Sequence, residues 1–133
     1  DLPRRACRAG PRVHAVMRLT GRLIGLAAAA GVVALWAKFL FGNPYASPEP
    51  DRTFLIGVTM MIGGAIAAAA AAYGAHLAMY LLFFVMFFPL GLYVWLTPGV
   101  FSAIGWLQLA YLGAAVLVHV GIVQSKRKGS VID

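Results

Sequence analysis

The chain has 133 residues, 62% of them hydrophobic, and a mean hydropathy of +0.84 that belongs to the membrane class. Eleven Lys and Arg against four Asp and Glu give a formal charge of +7, but six of the basic residues (Arg4, Arg5, Arg8, Arg12, Arg18, Arg22) precede the first apolar run and three (Lys126, Arg127, Lys128) follow the last. That placement argues for membrane topology and anionic lipid headgroups, and against nucleic acid as a partner. The single Cys7 excludes an internal disulfide and a two-cysteine redox centre.

Residues 1–18 read as a basic arm, disordered or non-native. The first sixteen are rich in Arg, Pro and Gly without apolar periodicity, whereas Met17 opens a short basic lead, as a native start would. The first span is expected at about 22–41, closed by Gly42-Asn43-Pro44 and a polar loop that carries Glu49, Asp51 and Arg52. A rival reading makes residues 17 to about 37 a cleaved signal peptide. Against it, Ala29-Ala30-Gly31 falls too early in the apolar run, and that run continues through Phe41.

From Thr53 through Ser125 there is no Asp, Glu, Lys or Arg. As helix this stretch would extend ~110 Å at ~1.5 Å per residue, so it must cross a bilayer core of ~30 Å about three times. Ala72-Tyr73-Gly74-Ala75-His76 joins a helix-ending Gly to an interface-seeking Tyr and predicts a hairpin between spans at 54–73 and 76–96. Thr97-Pro98-Gly99 has the residue order of a type II turn and leads to a fourth span at 100–123. The predicted fold is therefore all-α: a polytopic four-transmembrane-helix bundle over 19–125, N-in and C-in by its basic ends, with a basic cytoplasmic tail at 126–133. Aromatics mark the outer interface: Trp36, Phe39, Phe41 and Tyr45, then Tyr93 and Trp95, then Phe101 and Trp106.

Small residues let helices approach closely in lipid. Gly25 on span one, a four-spaced Gly64/Ala68/Ala72 stripe on span two, and Gly113 and Gly121 on span four are the expected packing positions. Span three is bulky from Leu81 to Phe88, and Pro89 should kink it near Val85–Pro89.

Intramembrane polar groups are the usual pointer to function. Here they are few. His76 and His119 fall at a shared depth and are the only candidates for haem or metal ligands. They lack a supporting carboxylate, which favours an interfacial His76 and a His119 that hydrogen-bonds a carbonyl or snorkels, with no cofactor. Gln108 is expected to bridge helices through its amide in preference to binding a polar ligand, and Thr59 to bond back to its own helix. Span one lacks the membrane-embedded glutamate on which small multidrug exporters depend, and no phosphate loop or Ser/His/Asp set is present, so an enzyme is not expected.

The run Phe87-Phe88-Pro89-Leu90-Gly91-Leu92-Tyr93, then Leu96-Thr97-Pro98-Gly99, Ile104-Gly105 and Tyr111-Leu112, resembles the second half of small uncharacterised bacterial four-span membrane proteins. That resemblance, with the Ala- and Gly-rich usage of GC-rich genomes, implies a multi-pass protein of the bacterial inner (cytoplasmic) membrane and transfers no residue role. Two functions follow. One is a non-catalytic accessory, assembly or structural subunit whose partners are the bilayer and another membrane protein or a second copy. The other is a small oligomeric transporter or channel for a neutral or apolar solute, built around Gln108, Thr59 and Pro89.

Overall fold

The computed structural model describes residues 11–42 and 52–129. They form helix α1 (Pro11–Gly42), α2 (Arg52–Tyr73), α3 (His76–Leu82), a π-helical turn (Phe83–Phe87), α4 (Phe88–Leu96) and α5 (Val100–Gly129). Helix α3, the π turn and α4 run on as a third span, so four helices are long and apolar enough to cross a membrane, and the fold is an all-α four-helix bundle. The polar loop with Glu49 and Asp51, Tyr45, and the outermost residues of the basic arm and tail lie outside the described residues. Helix α1 begins at Pro11, well before the expected first span, so residues 11–18 are helical and not a disordered arm; α5 likewise runs past Val123 to Gly129.

Helix α1 packs along α2 on one side and α5 on the other, and the third span closes the ring between them. The start of α1 and the end of α5 lie side by side, with Gly121 against the His14 carbonyl and Arg18. We call this the basic end of the bundle. Both inter-helix turns follow from glycine. Gly74 takes a φ of +69°, its N–H donates to Ala71 O at 3.0 Å and that of Ala75 to Ala70 O at 2.9 Å, which is the Schellman ending of α2. At the other end of the bundle Gly99 holds a φ of +97° after Pro98. Arg22 completes the first turn from outside: its Nε donates to Ala72 O at 2.9 Å, placing a cation at the negative end of the α2 dipole.

The buried positions follow one rhythm. On α2 they include Gly57, Met60, Gly64, Ala67 and Ala71, and on α5 Ile104, Gln108, Tyr111, Ala115 and Val118. Steps of three and four alternate, the 3.5-residue period of left-handed helix packing. This corrects the four-spaced stripe: Gly64 is buried, Ala68 half-buried and Ala72 exposed. Each four-residue step overshoots a full turn by about 40° at 3.6 residues per turn, so a strictly four-spaced row leaves the seam within two steps.

Glycines sit where the seams are tightest. A Cβ on Gly21 would come within 2.9 Å of the Ala114 carbonyl oxygen, one on Gly25 within 2.9 Å of Met79 Cε, and one on Gly64 within 2.6 Å of Val33 Cγ2. A Cβ on Gly121 would meet Arg18 Cγ at 2.6 Å. Gly113 departs from its expected packing role, being exposed with nothing within 4 Å of its would-be Cβ. Its neighbours Ala114 and Ala115 occupy the seam instead.

Pro89 disturbs the third span as its chemistry requires, but through a π turn. Proline has no N–H and crowds the carbonyl four residues back, and widening the preceding turn relieves both. The Phe88 N–H accordingly donates to Phe83 O, five residues back. Beyond this turn the helix changes neighbours. Helix α3 contacts α2 and α5, whereas α4 packs against α5 and has no comparable seam with α2.

Candidate functional site

Burial in this bundle belongs to Ala, Val, Met and aromatic side chains, so each enclosed polar atom must have a partner or a reason. Tyr111 has a partner. It is fully buried, its hydroxyl donates to Ala67 O at 2.9 Å, and its ring meets Phe87 edge-on with centroids 5.6 Å apart. One side chain of α5 thereby ties α2 to the third span at the last residue of the π turn. Sequence reading missed this role, although a Tyr in the middle of a charge-free span was the available signal.

Gln108, one turn away on the same face of α5, is 2% exposed, and its Nε2 has no hydrogen-bond partner. It therefore does not bridge helices through that amide donor. Its amide lies over Gly91 of α4 so closely that a Cβ there would overlap Oε1; the missing side chain at position 91 is what admits it. Beside Gln108, the third span and α5 enclose a slot of about 240 Å³ with Phe83, Phe87, Phe88, Trp95, Leu109 and Leu112 in its walls. Gly105 forms part of its floor, because a Cβ at that position would collide with Trp95. The slot's rim is apolar and exposed, so it opens sideways toward where lipid would lie.

Thr59 and Pro89 fall elsewhere. They border a second groove, of about 310 Å³, between α2 and the third span, together with Leu55, Ile56, Val85 and Leu90. The Thr59 hydroxyl donates to Leu55 O of its own helix at 2.8 Å, so it presents no free donor to that groove. Gln108 and Thr59 are thus separated by the third span, and the three groups expected to line one solute path line two different surfaces. A further recess at the end away from the basic cluster holds Trp36, whose Nε1 is buried without a partner. Trp36 shares this end with Phe39, Tyr93 and Phe101, and its ring is buried in the bundle, in edge contact with Phe39 at 5.9 Å.

At the basic end His76 and His119 do meet, their rings edge to face with centroids 4.9 Å apart and Tyr80 beside His119. Rings in direct contact leave no room for a porphyrin plane between them, which bis-histidine haem ligation requires. No group of three or more His, Cys, Asp or Glu side chains comes together among the described residues. A third histidine that sequence reading passed over, His14, is buried against α5 with neither ring nitrogen hydrogen-bonded. Its signal was hidden because it precedes the apolar run, where the helix was not expected to extend.

No family model, curated protein or solved structure matches the chain.

Proposed function

We propose that this is a non-catalytic accessory subunit of a membrane assembly, oriented with its basic end in the cytoplasm, and that it receives a transmembrane helix of a partner protein. The observation that supports this reading is the cleft left open between α2 and α4 once the π turn has carried the third span toward α5. Its walls are Leu55, Ile56, Val85 and Leu90, with Leu55 and Val85 exposed and the one hydroxyl already engaged by its own helix. Helices associate in lipid through van der Waals fit, and a cleft without polar demands matches the apolar face of another helix better than it matches a solute. The basic clusters favour the assigned orientation through the excess of Lys and Arg on the cytoplasmic side.

Photo-reactive residues placed at Leu55 and Val85, with Leu23 on the outer face of α1 as the reference, test the reading in native membranes. A discrete protein adduct from the two cleft positions and only lipid adducts from Leu23 is the expected result. Lipid adducts at all three positions would remove the proposal. Mass spectrometry of the adduct distinguishes another protein from a second copy.

A further inference from the structure

The basic end of the bundle holds a recess of its own. We infer that it is a binding site for one anionic glycerophospholipid, whose phosphodiester is held by Arg18 and Arg22. This goes beyond the accessory reading and is independent of it, since it concerns the end of the bundle and not the cleft between α2 and α4.

The recess follows from unequal helix lengths. Helices α2 and α3 meet in the turn at Tyr73 and Gly74, whereas α1 starts well before Arg22 and α5 runs on past Ile122. Over that turn the longer pair leaves a space of about 310 Å³, lined by Ala15, Arg18, Leu19 and Arg22 of α1 and by Ile122 of α5. Helix α2 has 22 residues. At ~1.5 Å per residue it is about 33 Å long, close to the thickness of a bilayer core, so its end marks the level of the headgroups.

Three features fit a lipid phosphate there. The first is that both arginines are seated by glycine. The Arg18 stem passes over Gly121, where a Cβ would come within 2.6 Å of its Cγ, and the Arg22 stem lies against Gly74, where a Cβ would meet its Cδ at 3.4 Å. Arg22 is fixed further by Ala72 O, which accepts one N–H from Nε and one from Nη2 and leaves the other guanidinium donors for a ligand. Both side chains are exposed, so a ligand reaches those donors. The second feature is uncompensated charge. The described residues contain no Asp or Glu, and Arg18 and Arg22, four apart on one helix face, repel each other. A shared anion removes that repulsion, and a phosphate offers oxygens to two guanidinium forks at once. The third is an apolar run beside the cations. Leu19 edges the recess and forms, with Leu23 and Leu26, an exposed row along α1 that an acyl chain can follow into the bilayer.

That row favours a lipid over a free phosphate. A zwitterionic lipid carries the same phosphodiester, but its headgroup amine would enter a region where Arg12, Lys126 and Arg127 add to the positive charge. The recess therefore selects a headgroup that is anionic overall.

Native mass spectrometry of the full chain, released from detergent micelles after titration with dioleoylphosphatidylglycerol, tests the site. Dioleoylphosphatidylcholine is the zwitterionic counterpart and sn-glycerol 3-phosphate the soluble phosphate ester. One phosphatidylglycerol is expected to bind about tenfold or more tighter than phosphatidylcholine or a second phosphatidylglycerol. Arg18→Gln, which keeps the stem over Gly121, should remove most of that preference. Arg127→Gln, with the same loss of charge at the same end, should change it less than about twofold. Ala15→Trp, which fills the recess without altering the charge, should abolish the tight first binding. Equal losses from the two arginine variants would mean diffuse attraction and overturn the site, as would a preference that survives Ala15→Trp or no preference in the parent chain. Displacement of phosphatidylglycerol by an equal concentration of sn-glycerol 3-phosphate would assign the recess to a free phosphate and overturn the lipid.

Discussion

The two sides of this bundle are held by different means. Where α1 meets α2 and α5, backbones come close over glycine and alanine, and the seam is continuous from Gly121 and His14 at the basic end to Gly57 and Leu40 at the other. Where the third span meets the bundle, bulky rings interleave around one hydroxyl, Tyr111, and the helix is interrupted by Pro89. The first kind of seam is closed along the apolar spans and opens only at the basic end, in a recess of about 310 Å³ bordered by Arg18, Arg22, Tyr73 and Val118. The second leaves a groove on each side of the third span.

Truncating the ring that anchors the third span should have the largest effect on that contrast. Tyr111→Ala removes a fully buried side chain together with its bond to Ala67 and its edge contact with Phe87. A loss of about 3–5 kcal/mol is expected, as for buried aromatic truncations generally. Chemical or steric-trap unfolding in bicelles would measure it, and a loss under about 1 kcal/mol would show that the third span does not depend on this anchor.

Overfilling the glycine seam comes next. Gly21→Leu sets a side chain against the backbone carbonyl of Ala114, which cannot rotate away, so about 1–3 kcal/mol of destabilisation is expected. Gly113→Leu, on α5 beside Ala114 but facing open space, should stay within about 0.5 kcal/mol of the parent. Equal effects from the two substitutions would contradict the assigned seam.

A finer probe is Tyr111→Phe, which keeps the ring and deletes only the hydroxyl. Interhelical hydrogen bonds in membrane proteins average about 0.6 kcal/mol, and a loss of that size is expected in the same unfolding assay. A loss as large as that of Tyr111→Ala would mean that the hydroxyl, and not the ring, holds α2 to the third span.

Much of the fold was legible before any coordinates. The charge-free run from Thr53 to Ser125 demanded three crossings, and Gly74 and Gly99 marked where they turn, since only residues that tolerate positive φ end helices in that way. The helix ends at the basic cluster were less legible. Residues 11–18 are polar enough to look unstructured, yet they continue a helix already nucleated by the span behind them, where each added residue costs less order than starting anew. Small residues identified the right helices but the wrong rows. Gly25, Gly64 and Gly121 are in seams, while Ala72 and Gly113 are not, because residue size says nothing about which way a helix is rotated.

The candidate site was legible only in its components. Gln108, Thr59 and Pro89 stood out as exceptions in an apolar chain, and a polar residue within a span is rare enough to notice. Their grouping followed from rotation and neighbour choice: Thr59 and Pro89 share the cleft beside α2, and Gln108 faces Gly91 on the other side.

By itself the sequence determined that this protein is an all-helical bundle with four membrane-length helices, because bilayer thickness, the cost of unpaired backbone in lipid and the missing charges allow little else. Tertiary structure alone decided that an amide would be enclosed without a partner, that two histidines would touch, and that the third span would leave α2 after its proline. Those outcomes depend on which helix faces point at one another, and in an apolar chain where nearly every face is hydrophobic, hydropathy cannot distinguish the face that packs from the face that meets lipid.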